Sequence, residues 1–153
     1  MLLLQFQAGN DRYGLDVSRV IEIIPMVVFH PLPHADPSVA GLFNYRGTMV
    51  PVIDLTVLLT GAASRPLFST RIILVDYPGR DDHAHTLGLL AERVTETVSC
   101  AKRDFQPAGI AIAGAPYLGD LFPHGEEMIQ RIEIDRLLPS ALRESLFVQD
   151  GKA

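Results

Sequence analysis

Gly14-Leu15-Asp16-Val17-Ser18-Arg19-Val20-Ile21-Glu22 recurs 74 positions later as Gly88-Leu89-Leu90-Ala91-Glu92-Arg93-Val94-Thr95-Glu96, with five of the nine positions identical. Each block follows a strand-like run, a polar turn and a second strand-like run. Leu2, Leu4 and Phe6 alternate on one face before Ala8-Gly9-Asn10-Asp11 and Tyr13-Gly14-Leu15, the pattern of a hairpin. In the second half Arg71 to Tyr77 is a continuous apolar run suited to a strand buried on both faces, and Thr86 to Leu90 follows the solvated loop Pro78 to His83. The shared strand context points to a duplicated, mainly β architecture. Two copies of a five-strand unit would each close into a small barrel, because closure removes the exposed edges of short antiparallel strands.

Twelve glycines and 11 prolines cut the remaining sequence into pieces too brief for a helical bundle. Asp16 or Ser18 is placed to cap a short helical stretch through Val20 and Ile24, which Pro25 ends. Pro25, Pro31, Pro33 and Pro37 punctuate the loop that follows. Val39 to Tyr45 and Thr48 to Leu55 read as strands on either side of Arg46-Gly47, and Leu55 to Leu59 turns helical. Gly61-Ala62-Ala63-Ser64 reads as the joint between halves. Val94 to Cys100 predicts another strand, Tyr117 to Phe122 pairs with Met128 to Ile134 across Pro123-His124-Gly125, and Ser140 as N-cap opens a short helix through Phe147.

Composition narrows the function classes. Hydrophobic residues make up 48% of the 153 positions and charged residues 20%, enough for a core that needs no disulfide staples. Thirteen Lys+Arg against 18 Asp+Glu give −5, the wrong sign for tracking phosphate backbones. The aromatic content of 7%, the lack of tryptophan and only two lysines, Lys102 and Lys152, argue against single-stranded nucleic acid. A single cysteine, Cys100, excludes an intramolecular disulfide and any CxxC motif and fits a reducing compartment. The opening Met1-Leu2-Leu3-Leu4-Gln5-Phe6 has no basic region and too short an apolar run for a signal peptide. The longest stretch free of Asp, Glu, Lys and Arg, Phe105 to Gly119, carries Pro107, Pro116 and three glycines and falls short of the ~20 residues that span a bilayer. A cytoplasmic protein is the expectation.

No constellation predicts catalysis. Asp81-Asp82-His83-Ala84-His85 is the densest cluster of metal-ligating types, yet it lies in a turn and has no partner ligand at metal spacing, so no metal or cofactor is expected. Cys100, Ser69 and Thr70 could be nucleophiles, but none sits in a GxSxG elbow, and Cys100 reads as a small apolar filler. Adjacent Glu126 and Glu127 point apart rather than sharing a substrate. There is no GxGxxG or GxxxxGK[ST] cradle. What stands out is Asn44-Tyr45-Arg46-Gly47 followed by Val50-Pro51-Val52-Ile53-Asp54-Leu55. A guanidinium fork at a strand junction, above a glycine that lets the backbone turn, suits a protein interface. It equally suits an arginine satisfying turn carbonyls at home.

At this segment the sequence resembles the CheW family of chemotaxis coupling proteins. Asn44-Tyr45-Arg46-Gly47 is similar to the family's N-[LY]-R-G, and Val50 to Leu55 to its VPVIDL strand. The likeness extends to Leu4-Gln5-Phe6, Tyr13 to Val17, Val20-Ile21-Glu22-Ile23, Gly88-Leu89, Tyr117-Leu118-Gly119 and Ile132-Glu133-Ile134-Asp135. The resemblance implies two SH3-like five-stranded barrels forming one domain over residues 1–150. Subdomain one would cover about 12–65 and subdomain two about 66–135, with the N-terminal strand 1–11 and the C-terminal helix 140–147 packed against them.

The resemblance further implies a non-catalytic adaptor, without cofactors, that bridges the cytoplasmic tip of methyl-accepting chemoreceptors to the regulatory domain of a CheA-type histidine kinase in an inner-membrane array. Carried over by position, receptor-groove candidates are Val20, Glu22, Arg46, Ile73 and Val75 of the Ile72 to Val75 strand, Gly88 and Val94. Kinase-contact candidates are Val50, Val52 and Asp54. Thr97 stands where the family's groove is usually apolar, and Thr56 where a basic residue often follows the strand. A different class, a small-ligand protein using the crevice between the barrels, is the alternative.

Overall fold

The structure, a computed structural model, describes residues 1–78 and 84–147. Ten strands form two five-stranded sheets. They are β1 (Leu2–Ala8), β2 (Asp11–Asp16), β3 (Val20–Pro25), β4 (Val39–Tyr45), β5 (Thr48–Asp54), β6 (Arg71–Pro78), β7 (Ala84–Ala91), β8 (Thr97–Ser99), β9 (Leu118–His124) and β10 (Glu127–Ile132). Two short helices, α1 (Leu55–Thr60) and α2 (Ser140–Leu146), complete the main elements. The strand orders are β8-β1-β2-β10-β9 and β3-β6-β7-β5-β4.

Each sheet curls until its edges meet. Beyond β3, His30 exchanges two backbone hydrogen bonds with Leu42 of β4, at 2.7 and 2.9 Å, and beyond β8, Gln106 does the same with Leu121 of β9, at 2.7 and 2.8 Å. These bridges close barrel I (β8-β1-β2-β10-β9) and barrel II (β3-β6-β7-β5-β4). Alternation along the strands then sorts three apolar clusters. Leu3, Cys100, Phe122 and Ile129 fill barrel I, while Phe43, Val50, Val52, Ile72, Leu74 and Leu90 fill barrel II. The largest cluster lies between them, where Leu4, Phe6 and Leu15 meet Ile53, Ile73, Val75, Leu87 and Leu89. Arg71–Tyr77, expected to be buried on both faces, is β6, and Ile72 to Val75 are fully buried.

The repeat read in the sequence has a topological counterpart. Replacing β1 by β6, β2 by β7, β8 by β3, β9 by β4 and β10 by β5 turns one strand order into the other. Pairing types match as well: β2 and β10 run parallel, as do β7 and β5, and the remaining pairs are antiparallel. Each barrel therefore joins the first hairpin of one copy to the last three strands of the other. This corrects the division expected near residue 65. Residues 2–16 belong with 97–132, and residues 20–54 with 71–91. The exchange begins at Asp16, whose carboxylate accepts the Ser18 N–H at 2.9 Å and caps a single 3-10 turn, Val17–Arg19. That turn carries the chain to β6 rather than back beside β2.

Two other expectations change. The helix anticipated through Val20 and Ile24 stops after that one turn. Val20, Ile21, Ile23 and Ile24 are β-branched and favour an extended strand. Ser140 is the first residue of α2 rather than its cap, and Pro139 precedes it. Of the Asp81 to His85 stretch, read as a solvated turn, only residues 84 and 85 lie among the described residues. Described His85 stacks on Phe147, with centroids 4.6 Å apart.

Gly14 and Gly88 hold equivalent places at the parallel pairings. A Cβ on Gly88 would stand 2.9 Å from Val52 Cγ2 and 3.1 Å from Ile72 Cγ2, and one on Gly14 would meet Leu3 and Ile129 at 3.1 and 3.2 Å. Gly88→Ala is expected to destabilise by about 1–3 kcal/mol in urea unfolding, with Gly14→Ala costing less. Equal stability of Gly88→Ala and the wild type would show that barrel II has slack at its centre.

The connection from α1 to β6 is pinned by two buried carboxylates. Asp54 accepts from the N–H groups of Thr56 and Ser64, each at 2.9 Å, and from the Ser64 hydroxyl at 2.6 Å. Glu92, buried beside β1, accepts the Arg65 N–H at 2.9 Å and its guanidinium at 2.7 and 3.0 Å. Burial alone would raise the Glu92 carboxyl. The hydrogen bonds and positive charge of Arg65 outweigh it and hold the group below the usual carboxylate range. Because the folded value is depressed, the stabilisation is present near neutrality and is lost as pH falls below about 4.5. Glu92→Gln should therefore unfold at lower urea than wild type at about pH 7, the gap narrowing towards about pH 3.5. A gap independent of pH would remove the carboxylate charge as its source.

Candidate partner-binding site

The β4–β5 hairpin turns on Arg46 and Gly47, whose φ angles are 51° and 90°, between the paired residues Tyr45 and Thr48. Two consecutive positive φ values define a type I′ turn, which matches strand twist and favours Asn or Gly. Gly47 meets that demand, and its N–H donates to the Asn44 side chain at 2.8 Å. Arg46 sits in the left-handed region, an uncommon place for a bulky residue. Its guanidinium does not serve turn carbonyls. Nη2 donates to Glu22 Oε1 of β3 at 3.1 Å, and the group lies 5.0 Å from the centroid of the Tyr45 ring, within cation–π range.

Glu22 is the hub of this trio. The same oxygen that receives Arg46 also receives the Tyr45 hydroxyl. Donation to that carboxylate, with a smaller contribution from burial, pushes the Tyr45 hydroxyl above its ordinary value. β3 and β4 are the two edges of barrel II, so the trio spans the closure seam. The Arg46 side chain is 75% exposed and that of Glu22 37%, which places the pair at the surface.

Apolar side chains also reach solvent on β3, on β5 and in the chain that follows β3. Ile21, Ile23, Met26, Val27, Val28 and Met49 are all exposed. Sequence reading missed the outward isoleucines because it made this stretch a helix. The alternation in Val20-Ile21-Glu22-Ile23-Ile24 was the available signal. Tyr45 was noted only as part of the motif, and its bond to Glu22 is visible only in three dimensions.

The structure separates the expected site residues. Glu22 and Arg46 come together. Val20 and Val94 occupy equivalent places in the two copies, each half-buried against the core between the barrels. Ile73 and Val75 are wholly within that core, and Gly88 is buried against Val52 and Ile72, so none of the three offers a side chain to a partner. Val50 and Val52 fill barrel II, and Asp54 caps α1 and binds Ser64. As surface contacts these six are corrected, because strands with both faces covered show no side chains. Thr97 is exposed on β8, and Thr56 is buried at the start of α1.

Between the barrels, where the small-ligand alternative places its crevice, lies the packed apolar core, and a shallow hollow at its margin is lined mainly by the charged residues Asp16, Arg19, Arg131, Glu133, Asp135 and Arg136. Burial raises the Cys100 thiol above its usual range, which suits a filler in barrel I. Glu127 pairs with Arg12. Among the described residues no group of three or more His, Cys, Asp or Glu could hold a metal ion, and no helix is long and apolar enough to cross a membrane.

The CheW-like domain family matches residues 2–142. A chemotaxis protein CheW of Rhizobium meliloti is 27% identical over 145 residues, covering 94% of this chain and 90% of that protein. The CheW of Klebsiella aerogenes is 28% identical over 140 residues, covering 90% and 81%. Protein FrzA of Myxococcus xanthus is 26% identical over 144 residues, covering 92% and 87%. The crystal structure of the scaffolding protein TtCheW from Thermoanaerobacter tengcongensis superposes with a TM-score of 0.76 at 24% identity, covering 88% of this chain and 84% of that one.

An ion pair this exposed contributes little to folding. Arg46→Ala should shift the unfolding free energy by less than about 1 kcal/mol. Arg46→Asn, with a residue suited to the turn, should match or exceed the wild type. A loss of several kcal/mol in both variants would make the guanidinium a structural member of barrel II.

Proposed function

We propose a coupling role for this chain, which belongs to the CheW-like family: one surface receives the helical tip of a methyl-accepting chemoreceptor, and another holds the regulatory domain of a CheA-type histidine kinase. Family membership supports a non-catalytic chemotaxis adaptor. The observation that carries the finer reading is the surface trio Glu22–Tyr45–Arg46 across the barrel II seam, with Ile21 and Ile23 of the same β3 strand and Met49 of the same hairpin also exposed. Apolar side chains receive the apolar face of a helix, and the charged pair fixes its register. Arg46 uses one terminal nitrogen on Glu22, which leaves other donors of its planar fork for a partner carboxylate or carbonyl.

The mechanism is geometric. The two barrels share one core, so a partner on either is held at a fixed angle to a partner on the other. A shift in receptor packing then biases the kinase's conformations without chemistry in the adaptor. Along β5 only Thr48 and Met49 reach solvent, which confines a kinase contact on that strand to the hairpin end. The working place is the cytoplasmic side of the inner membrane, where receptor tips lie.

A pull-down from lysate of the source organism, with wild type, Arg46→Ala and Glu22→Lys, tests this. Wild type should enrich a chemoreceptor and a CheA-type kinase. Arg46→Ala should weaken receptor binding by on the order of 2 kcal/mol, roughly 30-fold, if the arginine is a hot spot. Glu22→Lys should do the same by setting two cations side by side. Recovery of neither partner by the wild type would sink the coupling reading, while equal receptor recovery by all three proteins would move the receptor surface elsewhere.

A further inference from the structure

The two barrels repeat one aromatic ladder along their closing seams. In barrel II, Phe29 precedes the bridging residue His30 and meets Phe43 with ring centroids 6.4 Å apart, and Phe43 meets Tyr45 at 6.3 Å. In barrel I, Phe105 precedes the bridging residue Gln106 and meets Phe122 at 5.7 Å, and Phe122 meets His124 at 6.2 Å. Rings at such separations attract one another beyond the area they bury. Because both copies carry the ladder, it belongs to barrel closure. Tyr45 and His124 are its equivalent end rungs, each the last residue of its strand before the hairpin turn.

The end rungs differ in what they touch. His124 is exposed and is followed by Gly125 where Tyr45 is followed by Arg46. The repeat sets Glu96 at the position of Glu22, and neither Glu96 nor His124 makes a side-chain hydrogen bond or ion pair with another described residue. Tyr45 instead reaches across the seam. Its hydroxyl donates to the Glu22 oxygen that also accepts Arg46 Nη2, and its ring lies under the Arg46 guanidinium. Barrel I closes without a hydroxyl, an arginine or a bound carboxylate at this place, so closure does not account for them in barrel II. An arginine as exposed as Arg46, tied by one hydrogen bond, keeps much of its rotamer freedom. The tyrosine ring supplies a second point of attachment.

We infer that Tyr45 is a positioning residue: its hydroxyl keeps Glu22 engaged within the protein, and its ring supports Arg46, so that the guanidinium is the charge presented to a partner. Its effect on receptor recognition rests on the coupling reading, whereas its hold on Arg46 is a property of the free protein.

The test begins with the nitrogen-labelled full chain. Tyr45→Phe keeps the ladder and removes the hydroxyl, so its melting curve should match that of the wild type. The Arg46 Nε–H group should be nearly as ordered as the backbone in the wild type and distinctly more mobile in Tyr45→Phe. In an ultraviolet titration Tyr45, identified by its loss in Tyr45→Phe, should ionise at lower pH in Glu22→Gln, because donation to the carboxylate is the main cause of its raised value. Against the cytoplasmic tip of a chemoreceptor from the source organism, Tyr45→Phe should weaken binding roughly two- to tenfold, the cost of fixing one long side chain. In an Arg46→Ala background the same change should have no effect on binding. Equal order of Arg46 in the two proteins, or wild-type receptor affinity in Tyr45→Phe, would overturn the proposal. Weakening of the same size without Arg46 would overturn it by making Tyr45 a contact residue. If the wild type binds no receptor tip, the coupling reading falls, and the mobility of Arg46 decides the role of Tyr45 by itself.

Discussion

Leu4, Phe6 and Leu15 of one barrel and Ile73, Val75, Leu87 and Leu89 of the other meet in a single apolar layer, and neither sheet could leave that face in water. The barrel interiors are small by comparison, with four buried apolar residues in one and six in the other. The shared layer fixes the angle between the barrels. It also explains why strands that resemble a family's binding positions turn out to be core. Ile73 and Val75 face the other barrel, and Ile72 and Leu74 face their own.

The Glu22–Tyr45–Arg46 trio inherits its rigidity from barrel closure. Glu22 and Arg46 come from opposite edges of one sheet, and they meet because the His30–Leu42 bridge draws those edges together. The ion pair adds little stability of its own. What it adds is orientation: a carboxylate receiving two donors on one oxygen holds the tyrosine ring and the guanidinium in a fixed relation. A fork held this way loses less freedom when a partner arrives, which favours affinity without new contacts.

Much of this was legible in the residues. Turn chemistry and period-2 alternation located most of the strands, and the apolar run at β6 announced a strand covered on both sides. The repeat at Gly14 and Gly88 announced the duplication. The exchange between copies was hidden because alternation tells which face a side chain takes and not which strand lies alongside. Asp16 correctly signalled a cap, but the β-branched run after it decided for a strand. Arg46 and Glu22 were both singled out, whereas their mutual bond depends on closure between residues distant in sequence. Val50, Val52 and Asp54 match a family motif because they build the barrel and cap a helix, roles that a motif alone does not distinguish from recognition. The apolar 108–116 segment was weighed only against the length of a membrane span, so its place on the surface went unread.

In topology the chain is a strand-exchanged homodimer whose two subunits have become one polypeptide, with Gly61 to Ser64 in the covalent link. A separate half would present its first hairpin and its last three strands without the neighbours they pair with, so a second half would have to supply them. Covalent linkage lifts the requirement that the two halves be identical. The hairpin tip of one carries Arg46-Gly47, and the corresponding tip of the other carries Gly125-Glu126. Two topologically equivalent tips thus carry opposite charge, and one small protein can present different faces to different neighbours.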